Sequence, residues 1–148
     1  EKNIVLFGIS LGAATIAKAI DEFKITPTKV ILEMPFGTLY DAVKGRVRTM
    51  KLPEQPISFL LTFWGGTEHG FWAFNHKPEE YAKSITCPVL LQWGRNDARV
   101  KETEINSIFK KIASAQKKLV IYEESGHESL CKNENEKWKE NIADFLSR

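Results

Sequence analysis

Apolar residues recur along this chain in two rhythms. Short runs, interrupted only by Gln92, are Ile4-Val5-Leu6-Phe7, Val30-Ile31-Leu32, Val89-Leu90-Leu91-Gln92-Trp93 and Leu119-Val120-Ile121-Tyr122. Runs of this length, rich in β-branched residues, predict strands buried on both faces. The first is predicted over residues 3 to 8. Between them lie stretches with helical spacing. From about Leu11 to Phe23, Ala13, Ile16, Ala17 and Ile20 share one face, Lys18, Asp21 and Glu22 the other, and Thr26-Pro27 ends the segment. Pro78 to Ser84 predicts a short helix leading into Pro88 and the third strand. Residues 101 to 113 are amphipathic through Ile105, Ile108, Phe109 and Ile112. Glu102 and Glu104 near the start and Lys110 and Lys111 near the end suit the helix dipole. A last helix, about Glu134 to Leu146, turns Trp138, Ile142, Phe145 and Leu146 inward. Strands alternating with helices predict an α/β fold in three layers, a parallel sheet with helices on both faces and right-handed crossovers.

The segment from Pro35 to Lys77 breaks this rhythm. It holds Phe36, Tyr40, Phe59, Phe63, Trp64, Phe71, Trp72 and Phe74, half of the aromatic side chains in the sequence. Leu39 to Met50 predicts a basic helix carrying Lys44, Arg46 and Arg48. Ile57 to Trp64 predicts a short apolar one, stopped by Gly65-Gly66. The aromatics have two compatible readings, with a membrane-surface role for Phe63-Trp64 and Phe71-Trp72 as a third, separate one. They anchor the insertion onto the main body, or some of them, Phe36, Phe59 and Trp64 foremost, line an apolar substrate pocket.

Chemistry enters at the strand ends. The first strand runs directly into Gly8-Ile9-Ser10-Leu11-Gly12. A serine between two glycines at a strand-to-helix junction is the pattern of a nucleophile elbow. There the chain turns sharply, the serine backbone is strained, and side chains two positions away would collide. Asp97 follows the third strand and the turn Gly94-Arg95-Asn96. His127 follows the fourth strand and the turn Glu123-Glu124-Ser125-Gly126. All three lie past the C-terminal ends of strands, the edge where parallel sheets form their sites. A serine hydroxyl needs a base, and an imidazole oriented by a carboxylate supplies one.

The pieces G-I-S-L-G at 8–12, C-P-V-L-L-Q-W-G-R-N-D at 87–97 and S-G-H-E at 125–128, in the order Ser, Asp, His, resemble the α/β-hydrolase superfamily. The resemblance covers nearly the whole chain but only the second half of the usual fold. It implies a truncated α/β-hydrolase domain over 1–148 with a lid insertion at 35–77. It implies a serine hydrolase cleaving a carboxylic ester or thioester through an acyl-enzyme, with esterase, acylglycerol-lipase and aminopeptidase-like members as the nearest types. Ser10, Asp97 and His127 would be the catalytic residues, Gly8 and Gly12 the elbow, and the Leu11 N–H one oxyanion donor. The second donor of the family lies in a loop after an earlier strand. The resemblance therefore implies that the missing strands and that loop belong to a longer chain or come from a partner chain. Without them the first strand would leave an apolar edge unpaired.

Alternatives remain at each position. Ser10 could be a helix N-cap, Asp97 a turn residue and His127 a loop histidine. Glu33, at the end of the preceding strand, could be the acid in place of Asp97. His69 and His76 are expected at the surface. Cys87 is expected as a small buried apolar residue, and Cys131 close behind His127 as the one candidate thiol. A peptidase or acyltransferase could use the same triad, and a non-catalytic binding module of the same fold is the competing class. Composition narrows little. Net charge is +2 from 21 basic and 19 acidic residues, too balanced to argue for nucleic acid or an acidic membrane. Two cysteines make no disulfide framework. No spacing suggests a metal site and no glycine-rich loop a phosphate cradle, so the expectation is a small acyl substrate, no cofactor and a cytoplasmic location.

Overall fold

Four strands, β1 (Val5–Ile9), β2 (Lys29–Glu33), β3 (Val89–Gly94) and β4 (Lys117–Tyr122), form one sheet in the order β1-β2-β3-β4. All pairs are parallel, with Gly8 opposite Leu32, Leu32 opposite Leu91 and Leu91 opposite Leu119. This computed structural model describes residues 3–147. Sequential order combined with right-handed crossovers sends every connecting helix to the same face. Accordingly α1 (Leu11–Phe23) packs on α4 (Pro78–Tyr81), which packs on α5 (Glu102–Lys111). After β4 and a short α6 (Leu130–Asn133), α7 (Asn135–Ser147) crosses the opposite face. There the Trp138 ring meets Phe7 edge-on and Lys118 pairs with Asp144. The three layers expected from the sequence are present.

Alternation along the strands divides the core. Val30, Leu32, Val89 and Leu91 point to the α1 side with Ala13, Ala17 and Ile20; Ile31, Leu90, Val120 and Tyr122 point to the α7 side. Two lysines hold the lower ends of helices. Lys29 Nζ donates to the carbonyls of Phe145 and Leu146, and Lys117 Nζ to those of Phe109 and Ile112. The last carbonyls of a helix lack intrahelical donors, and an ammonium satisfies both them and the dipole.

Several local expectations are corrected. Leu146 is exposed, because Trp138, Ile142 and Phe145 already form the inward stripe of α7 and the next residue turns away. The insertion contains α2 (Leu39–Thr49) and α3 (Ile57–Glu68), and α3 runs straight through Gly65-Gly66. Two helical glycines cost about 1 kcal/mol each against alanine, but Gly66 is where α3 lies on the following chain. A Cβ there would meet the Phe71 carbonyl oxygen at 2.7 Å and the Ala73 Cβ at 2.8 Å. Tertiary approach overrides propensity. Cys87 is half-buried rather than buried, and burial raises its thiol pKa; Cys131 is half-buried as well.

β1 is paired on one side only, and Val5, Phe7 and Ile9 are partly exposed among the described residues. No helix among the described residues is long and apolar enough to cross a membrane.

Candidate active site

The end of β1 delivers Ser10 in a backbone conformation that L-residues rarely adopt, φ 51° and ψ −110°. It is held there from both sides. The Ser10 N–H donates to the Glu33 carbonyl at 2.7 Å, and the Ser10 carbonyl accepts from the Ala14 N–H. Gly8 is required by this turn, since a Cβ would lie 2.6 Å from the Gly12 carbonyl carbon. Gly12 is different: a Cβ there meets nothing within 4 Å. The expectation of two sterically obligatory glycines therefore holds for one, because the close approach is of residue 8 to the backbone of residue 12. The Ser10 hydroxyl makes no cap bond to the helix. Instead it lies 3.0 Å from His127 Nε2. Leu11, the first residue of α1, offers an N–H with no intrahelical acceptor.

Asp97 is completely buried in its side chain and does two things. Its Oδ1 accepts from the N–H groups of Arg99 and Val100, at 2.7 and 2.9 Å, which fixes the carboxylate. Its Oδ2 lies 2.7 Å from His127 Nδ1. The turn role and the imidazole role are thus shared by one side chain. Such an arrangement can hold Nδ1 protonated and leave Nε2 as the base facing the hydroxyl.

Glu33 does not reach His127. Its Oε1 accepts from Trp138 Nε1 at 2.6 Å and Gln92 Nε2 at 3.0 Å, and Gln92 in turn accepts from the Tyr122 hydroxyl. Burial pushes the Glu33 carboxyl above its ordinary range, with the Trp138 bond opposing. Its strand points it beneath the sheet, so it braces β2, β3, β4 and α7 instead of serving as the acid.

Further residues position the histidine turn, and sequence reasoning missed them. Glu134 Oε2 accepts from the Ser125 hydroxyl at 2.7 Å and the Ser125 N–H at 3.1 Å. Glu128 accepts from the Gly126 N–H at 2.8 Å. Gly94 lies so close to this turn that a Cβ would clash with the carbonyls of Ser125 and Gly126. The available signal was a glycine ending β3 opposite a glycine preceding the histidine.

Of the three aromatics expected to line a pocket, Phe59 and Trp64 share a ring neighbour in Phe63, while Phe36 lies apart from them. Phe36 is 4% exposed and packs on His76 in the core. Phe59 joins Phe63 and Phe74 in the insertion, and Trp64 meets Phe63 edge-on. His69 is exposed, as expected. His76 is not a free surface group: it is half-buried between Phe36 and Tyr81, and burial first, then Lys18, lowers its pKa.

The family model of the dienelactone hydrolases matches residues 57–146, a span that includes Asp97 and His127 but begins after Ser10. Among solved structures, an esterase of Pyrococcus furiosus is similar with a TM-score of 0.76 and 24% identity, over 100% of this chain and 55% of that one. An acylaminoacyl peptidase of Pyrococcus horikoshii gives 0.71 and 16%, over 99% of this chain and 24% of that one. A monoacylglycerol lipase of Paleococcus ferrophilus gives 0.67 and 17%, over 96% and 67%. The chain thus has the α/β-hydrolase fold and spans about half the length of the esterase it matches. No curated protein matches it.

Proposed function

The chain belongs to the dienelactone hydrolase family, and on that footing we propose that it is a serine hydrolase that cleaves a carboxylic ester or thioester through an acyl-enzyme. The observation that carries this reading is the continuous line from Asp97 through His127 to Ser10, ending on a half-buried hydroxyl in a strained turn.

In the reaction, Ser10 Oγ attacks the acyl carbon while its proton passes to His127 Nε2. The buried Asp97 carboxylate stabilises the imidazolium that forms. The Leu11 N–H, at the positive end of α1, donates to the developing oxyanion. Collapse expels the alcohol or thiol, which takes the proton from Nε2. Water then enters, gives a proton to His127 and attacks the acyl carbon. The second collapse returns that proton to Ser10 and releases the carboxylic acid.

A fluorophosphonate probe tests the proposal, because it phosphonylates only an activated serine. Labelling of the native protein that disappears in both Ser10→Ala and His127→Ala is the expected result. A native protein that takes no label would overturn the reading and favour a binding module of the same fold.

A further inference from the structure

Helix α3 is built inside out. Its buried stripe is Ser58, Thr62 and Gly66, four residues apart. Its exposed side carries Leu60, Leu61 and Trp64, with Leu61 at 56% and Trp64 at 65%. A helix on a water-facing surface orients its apolar stripe the other way. The inversion is fixed by packing: Gly66 sits against the backbone of residues 71–73, where a side chain does not fit. It also carries a cost, since Ser58 Oγ is buried without a partner among the described residues. The turns on either side extend the same character. Phe71 and Trp72 are exposed after α3, and Met50 and Leu52 before it.

Charge separates the candidates for what covers this face. Residues 44–52 contain Lys44, Arg46, Arg48 and Lys51 and no acid. Lys44 pairs with Asp41 and Arg48 with Glu54. Arg46 and Lys51 are exposed, beside Met50 and Leu52, and neither makes an ion pair among the described residues. A second copy meeting this face across a two-fold axis would set like patch on like patch. It would bring these cations against their own counterparts. An anionic phospholipid surface answers both features, with apolar and tryptophan side chains entering the headgroup boundary and free cations meeting phosphate. Asp41 and Glu54 offset Lys44 and Arg48, and Glu68 closes α3, so the attraction rests on Arg46 and Lys51 and not on a net charge of the segment.

We propose that α3 with its flanking turns is a docking face for an anionic phospholipid surface. Docking needs neither Ser10 nor His127, so it stands or falls apart from hydrolysis. The test is sedimentation of the protein with phosphatidylcholine vesicles, with and without phosphatidylglycerol. The native protein and Ser10→Ala should both sediment with the mixed vesicles. The double variant Arg46→Glu/Lys51→Glu should bind them at least about 25-fold more weakly, at roughly a factor of five for each cation removed. Leu61→Ser/Trp64→Ser should bind neither kind. All four side chains are on the surface, and unchanged circular dichroism keeps a loss interpretable. Native protein that stays in the supernatant, or undiminished binding by Leu61→Ser/Trp64→Ser, overturns the proposal. So does a dimer in light scattering that Leu61→Ser/Trp64→Ser dissolves while vesicle binding is absent, which assigns the face to a second copy.

Discussion

Asp97 divides its two oxygens between backbone and imidazole, and that division makes a clean substitution available. In Asp97→Asn the amide oxygen can still accept from Arg99 and Val100. The amide nitrogen would then face His127 Nδ1 as a donor, forcing the tautomer whose Nε2 carries a proton toward Ser10. The base is lost while the fold stays. Labelling of Ser10 by a fluorophosphonate should slow by about 10³- to 10⁴-fold, with an unchanged melting temperature. The elbow glycines should separate in the same assay. Gly8→Ala places a methyl group against the backbone of residue 12 and should abolish labelling, whereas Gly12→Ala enters open space and should label within a few-fold of native. Residues of this kind were legible because each lies at or just past the end of an apolar run, and the sheet's geometry brings such positions to one rim. Glu33 fits the same description. Only the direction in which its strand points it, beneath the sheet toward Trp138, separates it from Asp97. Gly94 was hidden because its partners are carbonyls about thirty residues away, and Glu128 and Glu134 because their bonds to the histidine turn follow no period.

At the scale of elements, the βα units were readable almost to the residue, since each helix needs one apolar stripe and each strand one run. The insertion was harder. Its composition announces helices, but periodicity identifies faces without saying which faces inward, and α3 turns the unexpected one to the core. His76 joins the insertion to α4 through its contacts with Phe36 and Tyr81, and burial there favours the neutral ring. A histidine whose folded pKa lies below its unfolded value contributes stability that is full above the unfolded pKa, about 6.5. That contribution is lost as pH falls through the folded value, because the unfolded chain binds the proton more readily. Thermal unfolding should therefore show a melting temperature that falls as pH drops below about 6.5. In His76→Phe, which keeps an aromatic ring and removes the titration, this part of the decline should vanish. A slope unchanged in the variant would mean that the loss arises elsewhere.

For the molecule as a whole, the half-open sheet is the dominant fact. β1 pairs with β2 alone among the described residues, and its Val5, Phe7 and Ile9 are partly exposed. An apolar strand with unpaired N–H and C=O groups is a template for another strand. The chain alone should associate with rising concentration in analytical ultracentrifugation. Val5→Lys should suppress that association without altering Ser10 labelling, since residue 5 lies at the far end of the strand from the elbow. The lower edge of the sheet carries a quieter consequence. Lys29 grips the foot of α7, and just before the head of α7 Glu134 clasps the loop that presents His127. The helix is therefore a lever with its fulcrum on the floor of the protein. An amine lost at that floor would let the whole rod tilt, and the imidazole would drift from the hydroxyl although nothing near either had been touched.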